Sequence, residues 1–503
     1  MLTLKFPIVK HSLKPQTNQV SLSRKLVLHP LKKKCTLMKA EQKHIVRYKA
    51  KKDDKVKYLT LVGMLFSKLT VYTIVRDTKD VLLVTSCGAE AIPFMKTWFN
   101  FPLSILSIFY FSFLANKGLN STWIYRFTYL PIAFIYSFVG LVLYPNRTLI
   151  QPALDITHPY IHSVFVSIAN NWVSCLYYSL ASIWGSTVIS LLFWMIANEY
   201  TDMNKAKEIY PLFGFLANFA LIFAGVMITQ FGTVYINDWD MNMRMLMTMV
   251  FIFSCISYGC FEYLSSHFQP INVNQGKVNK TSKMSFFDGL KTMWKEPFIR
   301  NMVLIIACYG SCIALYETCW KQYMKMYFDS PIAYTKFMGM VSYTKGLATM
   351  LMMVVSSFTL KKIKFTHSLL ITPMTLSSIG LLFFIGILLN VDQKIIVYLG
   401  AIMGVCTKAL KYSFFDPNKE IAYMSMSQEI KTKGKATIDV ISNPLGKSGS
   451  SMLLQGMILL CGTLTDALPM IALYFIIVCC VWLYVVNDLG KNHTSDHSFC
   501  DKI

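Results

Sequence analysis

The sequence predicts an all-α polytopic membrane protein of twelve transmembrane helices arranged as two six-helix halves. Three observations predict it. Hydrophobic residues make up 54% of the 503 and charged residues only 15%, whereas soluble domains carry about a quarter charged residues. Apolar stretches are long enough to cross a bilayer: Ala467 to Val486 holds no charge in 20 residues, and about 20 suffice. A single polar stretch, Ser266 to Arg300 with five lysines and one arginine, divides the spans six and six. The spans are apolar all round and do not alternate, which excludes a transmembrane β-barrel.

Taken in order, the chain opens with a basic tail, 1–57, which holds sixteen Lys/Arg against three acids. Its lack of any acid before Glu41 is shared with organelle transit peptides, but one arginine among many lysines reads instead as a cytosolic tail. The N-terminal bundle, 58–265, has spans near 58–84, 96–115, 125–144, 163–197, 211–231 and 245–265, the fourth long enough to tilt or break. After the basic linker 266–299, the C-terminal bundle, 300–487, has spans near 300–320, 333–357, 366–390, 395–414, 441–462 and 467–487. A polar segment, 488–503, ends the chain. Even-numbered connections are rich in lysine (Lys205 and Lys207, the linker, Lys361-Lys362-Ile363-Lys364, Lys419 to Lys435) and odd-numbered ones are poor in it. Both termini are therefore expected in the cytosol. The net charge of +23 is largely this bias, so lipid and not nucleic acid is the expected macroscopic partner. Thirteen cysteines without a C-x-x-C pair read as core-filling thiols, with neither disulfides nor a metal expected. The sequon Asn146-Arg147-Thr148 falls on an outward loop as a glycosylation acceptor or a chance match.

"SNPLGKSGSS" (442–451) contains the Gly-Lys-Ser that ends a P-loop, but the glycine a P-loop needs five residues earlier is Ile441, and no strand precedes it. No H-E-x-x-H or G-x-S-x-G pattern occurs, so no enzyme is expected and no cofactor. The entries to spans five and eleven are alike: "KAKEIYPLFG" (205–214) and "KGKATIDVISNPLGKSG" (433–449). Repeats in equivalent places of two halves fit transporters that rock two bundles about a central site.

Charges inside the spans carry the chemistry. A mid-membrane lysine costs ~2.5–3.5 kcal/mol even on lenient scales. Lys68, Lys96, Lys345, Lys408, Lys411 and Lys447 nevertheless face a single glutamate, Glu317. For Lys68 and Lys411, snorkelling to the headgroups is the simpler reading. For Lys96, Lys345 and Lys447 a water-filled cationic cavity fits better, and a polyanion such as a phosphate is its natural ligand. The run "RDTKD" (76–80) is either a solvated cap or part of a broken first span that puts Arg76 and Lys79 in the cavity, with Asp77 and Asp80 as internal partners.

Four stretches resemble the ATP/ADP translocases of plastids, obligate intracellular bacteria and microsporidian parasites: "YTIVRDTKDVLLVTSCGAEAIPFMKTW" (72–98), "IWGSTVISLLFWMIANEYT" (183–201), "YPLFGFLANFALIFAG" (210–225) and "KYSFFDPNKEIAYMSMSQEIKTKGKATIDVISNPLGKSGSS" (411–451). The resemblance runs from about Tyr58 to Val486. It implies a major-facilitator-like carrier that exchanges ATP for ADP. Of the membrane charges that matter in that family, three fall on Lys96, Glu317 and Lys447. At the fourth, an acid in the family, this chain has Ser182.

From these residues we expect Lys96 and Lys447, one per half, to clamp a polyphosphate. Asn443 and Ser448 would add hydrogen bonds, Gly446 would allow close approach, and Pro444 would free amides at the helix start. Glu317 either pairs with a lysine when phosphate leaves or reads the adenosine end. The charge missing at Ser182 predicts relaxed selectivity, with GTP, other purine nucleotides or phosphate accepted beside ATP and ADP. Net or proton-coupled import through Glu317, and a non-transporting membrane protein that keeps the fold, stay open as alternatives. The surface membrane of an intracellular parasite is the expected home, with a mitochondrion-derived organelle or a plastid as alternatives.

Overall fold

A computed structural model describes residues 23–154, 163–271, 296–424 and 444–495. Its contacts divide the chain into Met1–Leu59 and Thr60–Ile503, and the packing below is that of the second unit. In lipid every backbone polar group must be satisfied within the segment, so apolar stretches of this length become helices.

The helices are α1 (Ser23–Cys87), α2 (Ala91–Asn116), α3 (Ser121–Leu143), and α4, broken at Asn171 into Ser163–Asn170 and Trp172–Tyr200. They continue as α5 (Met203–Val234), α6 (Trp239–His267), α7 (Pro297–Tyr327), α8 (Pro331–Thr359), α9 (Phe365–Leu388) and α10 (Gln393–Tyr423). Last come α11, Pro444–Gly449 continuing as Ser450–Cys461, and α12 (Leu468–Ser495). Eleven helices are long and apolar enough to cross a membrane; α11, in the place of the predicted eleventh span, is shorter.

Three helices contain a π-helical turn that lies beside a proline and carries a lysine. In α2 the turn Met95–Asn100 precedes Pro102, in α10 Lys411–Phe415 precedes Pro417, and in α11 Pro444–Gly449 opens the helix. Proline lacks the amide that would bond one turn back, and the wider turn absorbs that loss. Each of these turns carries a lysine: Lys96, Lys411 and Lys447.

Helices α5 and α8 approach closely along glycines. A Cβ on Gly225 would lie 2.5 Å from the Tyr343 amide nitrogen and 2.7 Å from the Gly339 carbonyl oxygen. Helix α1 runs unbroken through residues 76–80, where Asp77 and Asp80 are buried. That corrects the solvated-cap reading of "RDTKD" and the break in the other reading: Arg76 and Lys79 reach the cavity with Asp77 and Asp80 as their partners, on an unbroken helix. Lys68 is corrected too. It does not snorkel but is fully buried, its ammonium donating to the Tyr125 hydroxyl at 2.7 Å and lying 4.0 Å from the centre of the Tyr129 ring. An aromatic layer of Tyr125, Tyr129 and Trp184 can satisfy an ammonium through its ring faces, an option that hydropathy does not register. The eleven cysteines whose side chains are described are all free thiols.

Candidate functional site

Three helices present one face each at helical spacing to a common cavity of about 530 Å³: α1 with Tyr72, Arg76, Lys79 and Asp80; α7 with Gly310, Ile313, Glu317 and Lys321; α10 with Gly404, Lys408, Lys411 and Asp416. Helices α2, α4 and α8 close the walls with Lys96, Tyr178 and Lys345. Drug-sized ligands occupy cavities of this order, ≈300–1,000 Å³. Eight basic side chains line it against four acidic ones, an excess of four positive charges.

The acids are all engaged. Arg76 pairs with Asp77 at 2.8 Å and donates to Ser342 Oγ of α8 at 3.0 Å, while the Ser342 hydroxyl donates to Asp77. Asp80 accepts from Lys79 at 2.8 Å and from Lys321 at 2.9 Å. Lys321 is also 3.9 Å from Glu317, and Lys411 holds Asp416 at 2.7 Å. Lys96, Lys345, Lys408 and Lys419 make no ion pair within 4.0 Å among the described residues. The Lys345 ammonium lies 5.8 Å from the centre of the Trp320 ring, and that of Lys79 lies 3.9 Å from the centre of the Tyr178 ring. Partly desolvated ammonium groups without counter-ions are what a polyanion finds attractive, because the low dielectric around them strengthens each contact. A second, smaller space of about 200 Å³ adjoins this one, sharing Tyr72, Arg76, Lys408 and Tyr412 and extending to Asn218 and Met353.

The cavity brings together six of the residues singled out in the sequence: Arg76, Lys79, Asp80, Lys96, Glu317 and Lys345. Others lie elsewhere. Ser182 is not among the lining residues; its hydroxyl accepts from Asn100 Nδ2 at 2.9 Å, behind the π turn that carries Lys96. Gly446 packs closely on α7: a Cβ there would stand 2.8 Å from the Ala307 carbonyl oxygen, and its own carbonyl accepts from Ser311 at 3.3 Å. Ser448 is half-buried and is not a lining residue either. Asn443 and the side chain of Lys447 lie outside the described residues, as does the side chain of Pro444.

Sequence reasoning missed Lys321, and the signal was available. One turn after Glu317, it shares the face 310, 313, 317 and 321 of α7, which period 3.6 assigns to one side. Lys411, read as snorkelling, instead faces the cavity paired with Asp416. Lys408, counted as a membrane charge, was given no place in the site.

Residues 45–493 match the family described as "TLC ATP/ADP transporter". Curated relatives agree. The chain is 34% identical over 468 residues to "ADP,ATP carrier protein 1, chloroplastic" of Arabidopsis thaliana, covering 87% of this chain and 74% of that one. It is 32% identical to "ADP,ATP carrier protein 1" of Chlamydia muridarum, covering 86% and 88%, and 29% identical to "ADP,ATP carrier protein 3" of Rickettsia bellii, covering 87% and 94%. Among solved structures it is similar in fold to a bacterial homologue of the iron transporter ferroportin (TM-score 0.58, 11% identity, covering 87% and 98%). It is also similar to a D-xylose-proton symporter (TM-score 0.55, 13% identity, covering 86% and 96%). These identities speak for a shared transporter architecture of the major-facilitator type and no further. With a cationic cavity enclosed by helices from both ends of the sequence, and a family match across nearly its whole length, this chain belongs to the TLC ATP/ADP transporter family.

Proposed function

We propose that the protein exchanges ATP for ADP across a membrane by alternating access, the first six helices rocking against the last six about the cavity. The observation that carries this reading is the set of ammoniums without an ion pair among the described residues, Lys96, Lys345, Lys408 and Lys419, in a cavity whose acids are already neutralised. A nucleoside di- or triphosphate supplies the missing negative charge at many oxygens, which a monoanion does not. Lys96 on α2 and Lys447 on α11 would grip the phosphates from the two sides, with Lys345 and Lys408 deeper along the path. Glu317 keeps Lys321 in place within this set and needs no proton-carrying role.

Exchange in preference to net flux follows from the same charges. An empty cavity with several unpaired cations crosses a low-dielectric barrier poorly, so the return step requires a second nucleotide. The lysine-rich connections favour a cytosolic side for both termini; Lys361, Lys362 and Lys364 are exposed at the α8–α9 turn. The bacterial relatives come from Chlamydia and Rickettsia, and import of host ATP through the surface membrane of an intracellular parasite is the setting this supports. Immunofluorescence on intact cells checks that placement.

The test is uptake of labelled ATP into proteoliposomes with and without internal ADP. We expect uptake only with the counter-substrate; equal rates in its absence would sink the exchange mechanism. Lys447→Ala should abolish uptake at normal expression. Competition by unlabelled GTP, CTP and UTP measures selectivity; with Ser182 at the family's acidic position, competition by GTP is expected.

A further inference from the structure

Asp80 is out of place in a polyanion site. It is 5% exposed, lines the cavity beside Lys79 and Lys321, and repels what the lysines attract. Its two partners come from different parts of the fold: Lys79 is its neighbour on α1, and Lys321, also 5% exposed, belongs to α7. Among the described residues, Asp80–Lys321 is the one ion pair that joins the first six helices to the last six.

Other ties between the same two sets line up with it along α1. At residues 76 and 77, Arg76 and Asp77 both bond Ser342 of α8. Beyond the end of α1, Glu90 Oε1 accepts from the backbone amide of Leu464, in the turn between α11 and α12, at 2.8 Å. Between them, Gly88 turns the chain at a φ of +89°, and the Lys325 ammonium would lie 3.8 Å from a Cβ there. The Gly88 end is therefore held shut by a series of contacts, of which Asp80–Lys321 is the charged one nearest the cavity.

A carboxylate that accepts from two ammoniums at once does what a phosphate oxygen would do in the same place. Asp80 and an arriving phosphate thus compete for Lys79 and Lys321. We infer that Asp80 is an internal stand-in for the phosphate: it holds Lys321 across α1 and α7 while the cavity is empty and releases it when nucleotide binds. Filling the site and unlatching the Gly88 end are then one exchange of ion-pair partners. Asp80 is a positioning residue and does not touch the nucleotide. The identity of the anion rests on the exchange reading above; the latch itself does not.

The experiment uses the purified full-length protein in lipid nanodiscs, with ATP as the probe. Hydrogen exchange is followed in peptides covering 88–92 and 462–467, and ATP affinity is measured by calorimetry. Without nucleotide, Asp80→Asn should speed exchange at both segments, and so should Lys321→Met. The two variants should move affinity in opposite directions. Asp80→Asn removes the competitor and should tighten ATP binding about tenfold, while Lys321→Met removes a phosphate partner and should weaken it by a similar factor. Asp80→Glu should restore wild-type protection. A merely structural tie would weaken binding in both variants, and that result overturns the inference. So does wild-type protection at 462–467 in nucleotide-free Asp80→Asn, or in Lys321→Met should the asparagine variant fail to fold. If the wild type itself binds no ATP, the exchange reading falls, and the nucleotide-free comparison still decides the latch.

Discussion

Lys68 and Lys96 are the same side chain in two opposed settings one helix apart. Lys68 is enclosed by tyrosines, with its proton-donor capacity spent on Tyr125 and the faces of two rings. Lys96 reaches the cavity with no ion-pair partner among the described residues. Replacing Lys96 by Gln should therefore weaken ATP binding by ~1.5–3 kcal/mol, the worth of a hydrogen bond to a charged group, which is roughly ten- to a hundredfold in affinity. Calorimetry reads it directly, and unchanged affinity would take Lys96 out of the site. At Lys68 the stem matters more than the charge. Lys68→Met keeps the volume and dispenses with a buried cation, so it should melt at or above the wild-type temperature. Lys68→Ala leaves a cavity and should cost ~2–5 kcal/mol, by analogy with other large-to-alanine core changes. If Met proves as damaging as Ala in a thermal melt, the charge itself holds the tyrosine layer together. Both lysines were visible in the sequence as charges where none belong. Which of them faces water depends on the rotation of α1 and α2, and apolar surroundings on every side give no period from which to read it.

At the scale of the element, span existence and order were legible because hydropathy is averaged over a whole helix and tolerates local irregularity. The length of the fourth span leaves tilting or breaking open, and the structure breaks it at Asn171. The π turns were not foreseen: most lie beside a proline, but the one at Trp184–Phe193 does not, so packing that no single helix encodes contributes as well. Nor could the sequence assign work to individual glycines. Close backbone approach is expected at Gly446 for a ligand, and the structure shows such an approach there to the backbone of α7. Gly225 and Gly259 make the same point as a pair. A Cβ on Gly225 would meet backbone atoms of α8 at 2.5 and 2.7 Å, whereas nothing lies within 4 Å of one on Gly259 in α6. Gly225→Ala should thus destabilise by ~1–3 kcal/mol through overpacking. Gly259→Ala should stabilise by roughly 0.5–1 kcal/mol through the lower backbone entropy of the unfolded chain. Melting temperatures of opposite sign confirm the α5–α8 contact as a close one; two shifts of the same sign would not.

For the whole molecule the governing quantity is the excess of four positive charges in the cavity, because it sets what the carrier can do when empty. Each unpaired lysine carried through the membrane centre adds a barrier of ~2.5–3.5 kcal/mol on lenient scales, and snorkelling is closed to a side chain that points into an enclosed space. Removing one such charge lowers the barrier to the empty return step even as it weakens substrate binding. Lys345 is the residue for this test, because its nearest aromatic support is 5.8 Å away and no carboxylate depends on it among the described ion pairs. Lys345→Met should accelerate efflux of preloaded labelled ADP into nucleotide-free buffer by up to about a hundredfold, since every 1.36 kcal/mol is a factor of ten in rate. Exchange against external ATP should slow in the same variant. The two rates must move in opposite directions for the charge excess to be what enforces exchange. If efflux into empty buffer stays at the wild-type level while exchange falls, Lys345 serves binding alone, and coupling resides in the contacts between α1, α7 and α8.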